Sequence, residues 1–148
     1  MMKIKLVQLD SELPVPAYAN RGDAAVDLYS RENLTLLRSN HRQTVSTGIV
    51  IELHVNTFGL ILPRSGLAKK NGVTLVNSPG LIDSGYRGEI KVVLINTDPE
   101  NDYEIKRGDR IAQMLILSLV PVEFSVLDSI DGLSDSSRSS DGFGSTGS

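Results

Sequence analysis

Three side chains with different chemistry stand within ten positions of one another: the amide of Asn77, the carboxylate of Asp83 and the phenol of Tyr86. Glycines punctuate the segment at 72, 80, 85 and 88, and Ser78-Pro79-Gly80 forms a turn signal in its middle. An amide beside a rigid turn can offer donor and acceptor together to a planar ring. A carboxylate after the apolar pair Leu81-Ile82 can take a proton from water. A phenol ring between glycines can pack on a sugar. The stretch 72–90 is therefore expected to be a hairpin forming one wall of a pocket that holds a base. On these residues alone a second reading stands beside it, with Asn77 a turn cap, Asp83 a turn residue and Tyr86 a core side chain.

Something must position these groups. The chain has 148 residues, 40% of them hydrophobic, which suits one domain with its own core. Fifteen basic and eighteen acidic residues give a net charge of -3, so the chain lacks the basic footprint of a general nucleic-acid or membrane-surface binder. Cysteine is absent, which removes disulfides, thiolate catalysis and cysteine-metal sites and fits a reducing compartment. His41 and His54 are isolated and are expected at loops or strand ends, since metal sites need clustered donors. No signal-peptide pattern opens the sequence, and no apolar run approaches the roughly 20 residues of a membrane span. The expected location is the cytoplasm.

Short aliphatic and β-branched runs recur between turn formers, at 3–9, 25–29, 44–53, 58–62, 73–76, 90–96, 111–119 and 122–127, and this spacing points to an all-β fold. Lys3 and Lys5 alternate with Ile4 and Leu6, the pattern of a sheet with one buried face. Val92-Val93-Leu94-Ile95 and Met114-Leu115-Ile116-Leu117 are apolar on both faces and belong between layers or in a subunit interface. Pro63-Arg64-Ser65-Gly66-Leu67-Ala68-Lys69-Lys70-Asn71-Gly72 is expected to hold a helix of about two turns, with lysines in its last turn and Asn-Gly as its stop. Its start, beside Arg64, is either an anion site or an ordinary connector. Residues 128–148 turn to serine, glycine and aspartate, a composition too polar to fold alone.

Five segments, in order, resemble the five motifs of the homotrimeric deoxyuridine triphosphatase (dUTPase) family. They are Asp23-Ala24-Ala25-Val26-Asp27-Leu28-Tyr29-Ser30, Pro63-Arg64-Ser65-Gly66-Leu67-Ala68, the 72–90 segment, Arg107-Gly108-Asp109-Arg110-Ile111-Ala112-Gln113-Met114, and the tail from Arg138 to Gly147. The resemblance covers nearly the whole chain. It implies a distorted jelly-roll β-barrel with one short helix, a core over residues 1–127, and a C-terminal arm over 128–148 exchanged in a homotrimer to close a neighbour's site. It implies hydrolysis of dUTP to dUMP and pyrophosphate by water attack on the α-phosphorus, with Mg²⁺ on the triphosphate. That reaction keeps uracil out of DNA and supplies the thymidylate precursor.

The resemblance also implies roles. Asn77 and the backbone at Leu81, Ile82 and Asp83 read uracil, Tyr86 packs on the deoxyribose, and Asp83 deprotonates water. Arg64, Ser65, Gly66 and Gln113 bind phosphates, Lys91 contacts substrate, Asp27 lies near the metal through water, Arg138 reaches the γ-phosphate and Phe143 stacks on the base. Two departures from the family pattern stand out. Ser139 and Asp141 replace glycines of the fifth motif, removing backbone freedom and adding negative charge, and Ala25 replaces a common glycine of the first. Two rivals share the fold: a dCTP deaminase, which uses a glutamate-centred site, and a nucleotide-sensing protein without catalysis.

Overall fold

The computed structural model describes residues 2–136. The arm residues Arg138 and Phe143, with Ser139 and Asp141, lie outside the described residues.

In chain order the strands are β1 (Lys5–Gln8), β2 (Val26–Tyr29), β3 (Leu34–Leu37), β4 (Arg42–Ser46), β5 (Ile49–Glu52) and β6 (Thr57–Leu62). The helix α1 (Ser65–Asn71) follows, then β7 (Val73–Leu75), β8 (Gly80–Ile82), β9 (Lys91–Asn96), β10 (Tyr103–Lys106) and β11 (Arg110–Ser118). All pairings are antiparallel, in sheets ordered β1-β5, β10-β3, β2-β11-β6-β8 and β4-β9-β7. The result is the expected all-β jelly roll, built as separate sheets around one core rather than as a closed barrel.

Alternation accounts for the core. Along β9 Val92, Leu94 and Asn96 point inward, and along β6 Thr57, Gly59 and Ile61 do so. They meet Leu28, Val45, Ile90, Ile105, Ile111 and Ala112, all essentially inaccessible to solvent. Each large aliphatic side chain buried this way contributes about 1.5–3 kcal/mol. Asn96 is buried with them but satisfied: its amide donates to the Leu37 and Asn101 carbonyls at 3.2 and 2.7 Å and its oxygen accepts from Asp98 N–H at 2.9 Å.

Three expectations need correction. The run at 44–53 is two strands, because Gly48 takes a left-handed φ of 73° and turns β4 into β5. The 72–90 segment is not a hairpin. β7 pairs with β9 and β8 pairs with β6, in different sheets, so the segment crosses from one sheet to the other. Lastly, residues 122–127 form no strand, and Val120, Val122, Phe124 and Val126 are 73–92% exposed. A strand needs a neighbouring backbone, and among the described residues none pairs with this run.

The helix keeps its expected bounds. Gly72 ends it at φ 64°, its N–H bonded back to Ala68 and Leu67 carbonyls, with Lys69 and Lys70 in the last turn. A Cβ at Gly72 would lie 2.9 Å from the Asp98 nitrogen, so glycine is required both by φ and by space.

Candidate active site

The central strand β11 assembles the first group of residues. Its register sets Gln113 opposite Asp27 of β2 on one side and Leu62 of β6 on the other. Chain continuity then carries Leu62 through Pro63 to Arg64 at the start of α1. Gln113 Nε2 donates to the Pro63 carbonyl at 3.0 Å. Arg64 Nε donates to Asp27 Oδ1 at 2.9 Å.

A β-bulge adds a residue that spacing alone does not reveal. Arg110 is three positions from Gln113, so simple alternation would put the two on opposite faces. The β11–β2 register shifts between Arg110 and Ala112, setting Arg110 opposite Tyr29, which shares the face of Asp27. Arg110 Nη1 thus reaches Asp27 Oδ2 at 3.4 Å. Asp27, Arg64, Ser65, Gly66, Arg110 and Gln113 line a cavity of about 360 Å³ with Asp23 and the small side chains Ala17, Ala19, Ala24 and Ala25.

The turn that launches β11 is braced from the N-terminal segment. Arg107 binds Asp10 Oδ1 and Oδ2 through Nη2 at 2.6 and 2.7 Å and reaches Glu12 at 2.8 Å. The guanidinium hydrogen bond holds the Asp10 carboxyl below its ordinary range. Gly108 supplies a φ of 86°, and Asp109 Oδ2 accepts from Lys106 N–H at 2.8 Å. The Arg-Gly-Asp part of this motif is therefore a braced turn, and Arg110 and Gln113 are the members that reach the cavity.

A second cavity of about 230 Å³ is lined by Asn77, Gly80, Leu81, Ile82, Asp83, Tyr86 and Lys91, floored by Ile61, Leu75 and Val92. The sheet crossover brings these residues together as surely as a hairpin would. β8 is an edge strand of its sheet, so among the described residues one side of its backbone has no strand partner. Asn77, Asp83 and Tyr86 are exposed, and the Tyr86 hydroxyl donates to the Glu89 carbonyl at 2.9 Å. Lys91 opens β9 with its side chain in solvent. No residue lines both cavities.

His41 and His54 sit in loops, their ring nitrogens donating to the Ser39 and Lys3 carbonyls at 2.8 and 2.9 Å. Among the described residues no three His, Cys, Asp or Glu side chains cluster to hold a metal ion. In the first cavity the Asp27 carboxylate is taken by two guanidiniums, and Asp23 Oδ2 accepts from Asn20 N–H at 2.7 Å. That donor set is not a protein-built cation site. It suits a cation that arrives already bound to phosphate oxygens and water.

Residues 11–147 match the family model for dUTPase. The chain belongs to the dUTPase family. It is 51% identical over 144 residues to the deoxyuridine 5'-triphosphate nucleotidohydrolase of Corynebacterium glutamicum, covering 97% of this chain and 94% of that protein. It is 50% identical over 146 residues to the protein of the same name from Rhodococcus erythropolis, covering 99% and 87%. The fold matches a Staphylococcus bacteriophage 80alpha dUTPase solved with dUPNHPP at a TM-score of 0.90, over the whole of both chains, with 22% identity. A point mutant of the dUTPase from phage phi11 of S. aureus, described with a structural Mg(II) ion, matches at 0.79 over 88% of this chain and 99% of that one, with 19% identity. No helix among the described residues is long and apolar enough to cross a membrane.

Proposed function

We propose that this dUTPase family member hydrolyses dUTP to dUMP and pyrophosphate, in the cytoplasm, as a homotrimer whose sites are shared between subunits. The observation that carries the reading is the second cavity, where an amide, a carboxylate and a phenol meet the open edge of β8.

The chemistry follows from the side chains. Asn77 can present donor and acceptor together to the uracil edge, with the backbone around Leu81, Ile82 and Asp83 completing the match. The Tyr86 ring packs on the deoxyribose, where a ribose 2′-hydroxyl would collide with it. Asp83, solvent-exposed beside them, orients water and takes its proton as the oxygen attacks the α-phosphorus. Lys91 adds positive charge at the rim. Arg64, Ser65, Gly66 and Gln113 donate to phosphate oxygens and stabilise charge that grows as the bond to the leaving pyrophosphate breaks. Asp27, which aims Arg64 and Arg110, would hold Mg²⁺ through water, and the ion when bound would neutralise part of that charge.

The separation of the two cavities supports assembly between subunits, since a triphosphate must meet both sets of groups. The exposed alternating residues Val120, Val122, Phe124 and Val126 support it as well, because an apolar run that finds no strand partner among the described residues fits an exchange with another chain. In this reading residues 1–127 are the core and 128–148 the arm, with Arg138 on the γ-phosphate and Phe143 on the base.

Pyrophosphate release from dUTP with Mg²⁺, run beside ammonia release from dCTP, tests the reading. Pyrophosphate without ammonia is the expected result. Ammonia from dCTP would assign a deaminase, and nucleotide binding without either product would assign a sensor.

A further inference from the structure

Tyr86 is fixed by groups that never enter its cavity. Its hydroxyl donates to the Glu89 carbonyl at 2.9 Å. Its ring lies against Gly88, where a Cβ would stand 2.6 Å from Tyr86 Cζ and 3.0 Å from Cε2, well inside the separation at which carbon atoms pack. Only glycine leaves room for the ring.

The carbonyl that Tyr86 uses is anchored in turn through the side chain of its own residue. Glu89 Oε1 accepts from Gly48 N–H at 2.8 Å and from Arg31 Nη1 at 3.2 Å. The adjoining backbone is tied to the same bend. Thr47 Oγ1 donates to the Ile90 carbonyl at 2.7 Å, and Ile90 N–H donates to the Ile49 carbonyl at 2.8 Å. Gly48 holds φ at 73°, and a Cβ there would come within 3.3 Å of Arg31 Cδ. The bend between β4 and β5 is thus fastened to residues 89 and 90, and through them to the Tyr86 hydroxyl. Arg31, Gly48, Gly88 and Glu89 are absent from the cavity wall.

We propose that Glu89 is a positioning residue for sugar discrimination: its carboxylate, held by Gly48 and Arg31, sets the carbonyl that orients Tyr86, and Gly88 is the seat of the ring. This rests on the reading of Tyr86 as the group that faces the sugar. Tethered at its hydroxyl and seated along its edge, the ring cannot swing aside to admit a 2′-hydroxyl. Loosening either support admits UTP more readily and leaves the groups that act on the phosphates in place.

The test is the ratio of kcat/KM for dUTP to that for UTP, measured on the full-length protein and on Glu89→Ala, Glu89→Gln, Gly88→Ala and Tyr86→Ala, with melting temperatures alongside. Glu89→Ala is expected to lower the ratio roughly fivefold, the worth of one net hydrogen bond, with most of the change in KM for UTP. Glu89→Gln keeps an acceptor for Gly48 N–H and is expected to restore most of the ratio. Gly88→Ala should lower it at least as far, and it carries the test if Glu89→Ala does not fold. Equal losses on both substrates, with a lower melting temperature and an unchanged ratio, would mark a purely structural role and overturn the proposal. An unchanged ratio in Tyr86→Ala would sink the reading of Tyr86, and the proposal with it. A ratio that falls in Tyr86→Ala but stays fixed in Glu89→Ala and Gly88→Ala would refute the proposal alone.

Discussion

Replacing Asp27 with asparagine separates aiming of Arg64 from a role at the metal. The Asp27 carboxylate holds Arg64 Nε at 2.9 Å and Arg110 Nη1 at 3.4 Å. For unit charges at the shorter distance, Coulomb's law gives about 1.4 kcal/mol in water and about 5.7 kcal/mol at an effective dielectric of about 20. The side chains of Arg64 and Asp27 are 27% and 23% exposed, so screening and side-chain entropy bring the net worth down to roughly 1 kcal/mol. Asparagine keeps an acceptor oxygen and loses the charge. Asp27→Asn is therefore expected to lower kcat/KM for dUTP about fivefold. Arg64→Ala removes a charge-assisted bond worth about 1.5–3 kcal/mol and should cost roughly tenfold to a hundredfold. In the Arg64→Ala background the aiming of Arg64 is already lost, so adding Asp27→Asn should cost clearly less than its fivefold effect in the parent. Pyrophosphate-release kinetics at saturating Mg²⁺ on the four proteins closes the cycle. Losses that multiply in full would refute aiming and leave Asp27 acting on its own, through metal-bound water.

Asp83→Asn should cut turnover by about a thousandfold, the middle of the range for removal of a general base, with KM for dUTP little changed; undiminished turnover in steady-state assays would remove Asp83 from its role. Deleting residues 138–148 should depress kcat/KM while light scattering still reports a trimer, and full activity in the truncated protein would dismiss the arm. The Asp10–Arg107 pair predicts a pH dependence of stability. The native Asp10 carboxyl is held below the ordinary value of 3.8, so its contribution is fully present above that value and is lost as pH falls through the lowered one. Melting curves of the parent and Asp10→Asn should differ by a constant amount near neutrality and converge in strong acid; a gap that widens in acid would contradict the linkage.

Much of the fold was legible because alternation and turn residues are local signals. Asn-Gly at 71–72 marked the helix end that the left-handed Gly72 makes, and the runs at 58–62 and 111–119 became β6 and β11. Pairing was not legible. Nothing local says that Val73 to Leu75 joins β9 while Gly80 to Ile82 joins β6, so a crossover read as a hairpin. The short β3 and β10, which pair with each other across the chain, gave no run long enough to notice. Asn77, Asp83 and Tyr86 could be gathered into one cavity because they lie close in sequence, whereas Arg110 needed the bulge beside Ala112 to turn it toward Asp27. The grip of Arg107 on Asp10 joins residues 97 positions apart, beyond the reach of any spacing rule. The exposed run at 122–127 had the composition of a strand, and the described residues do not supply the neighbour that would make it one.

The role of Asp83 depends on where water attacks. Hydrolysis of dUTP in ¹⁸O-labelled water with Mg²⁺, followed by mass spectrometry of both products, reads this directly. Attack on the α-phosphorus by a water that Asp83 activates places one ¹⁸O in dUMP and none in pyrophosphate, and Asp83→Asn should suppress that labelled product. Label in the pyrophosphate, or unlabelled dUMP, would contradict it.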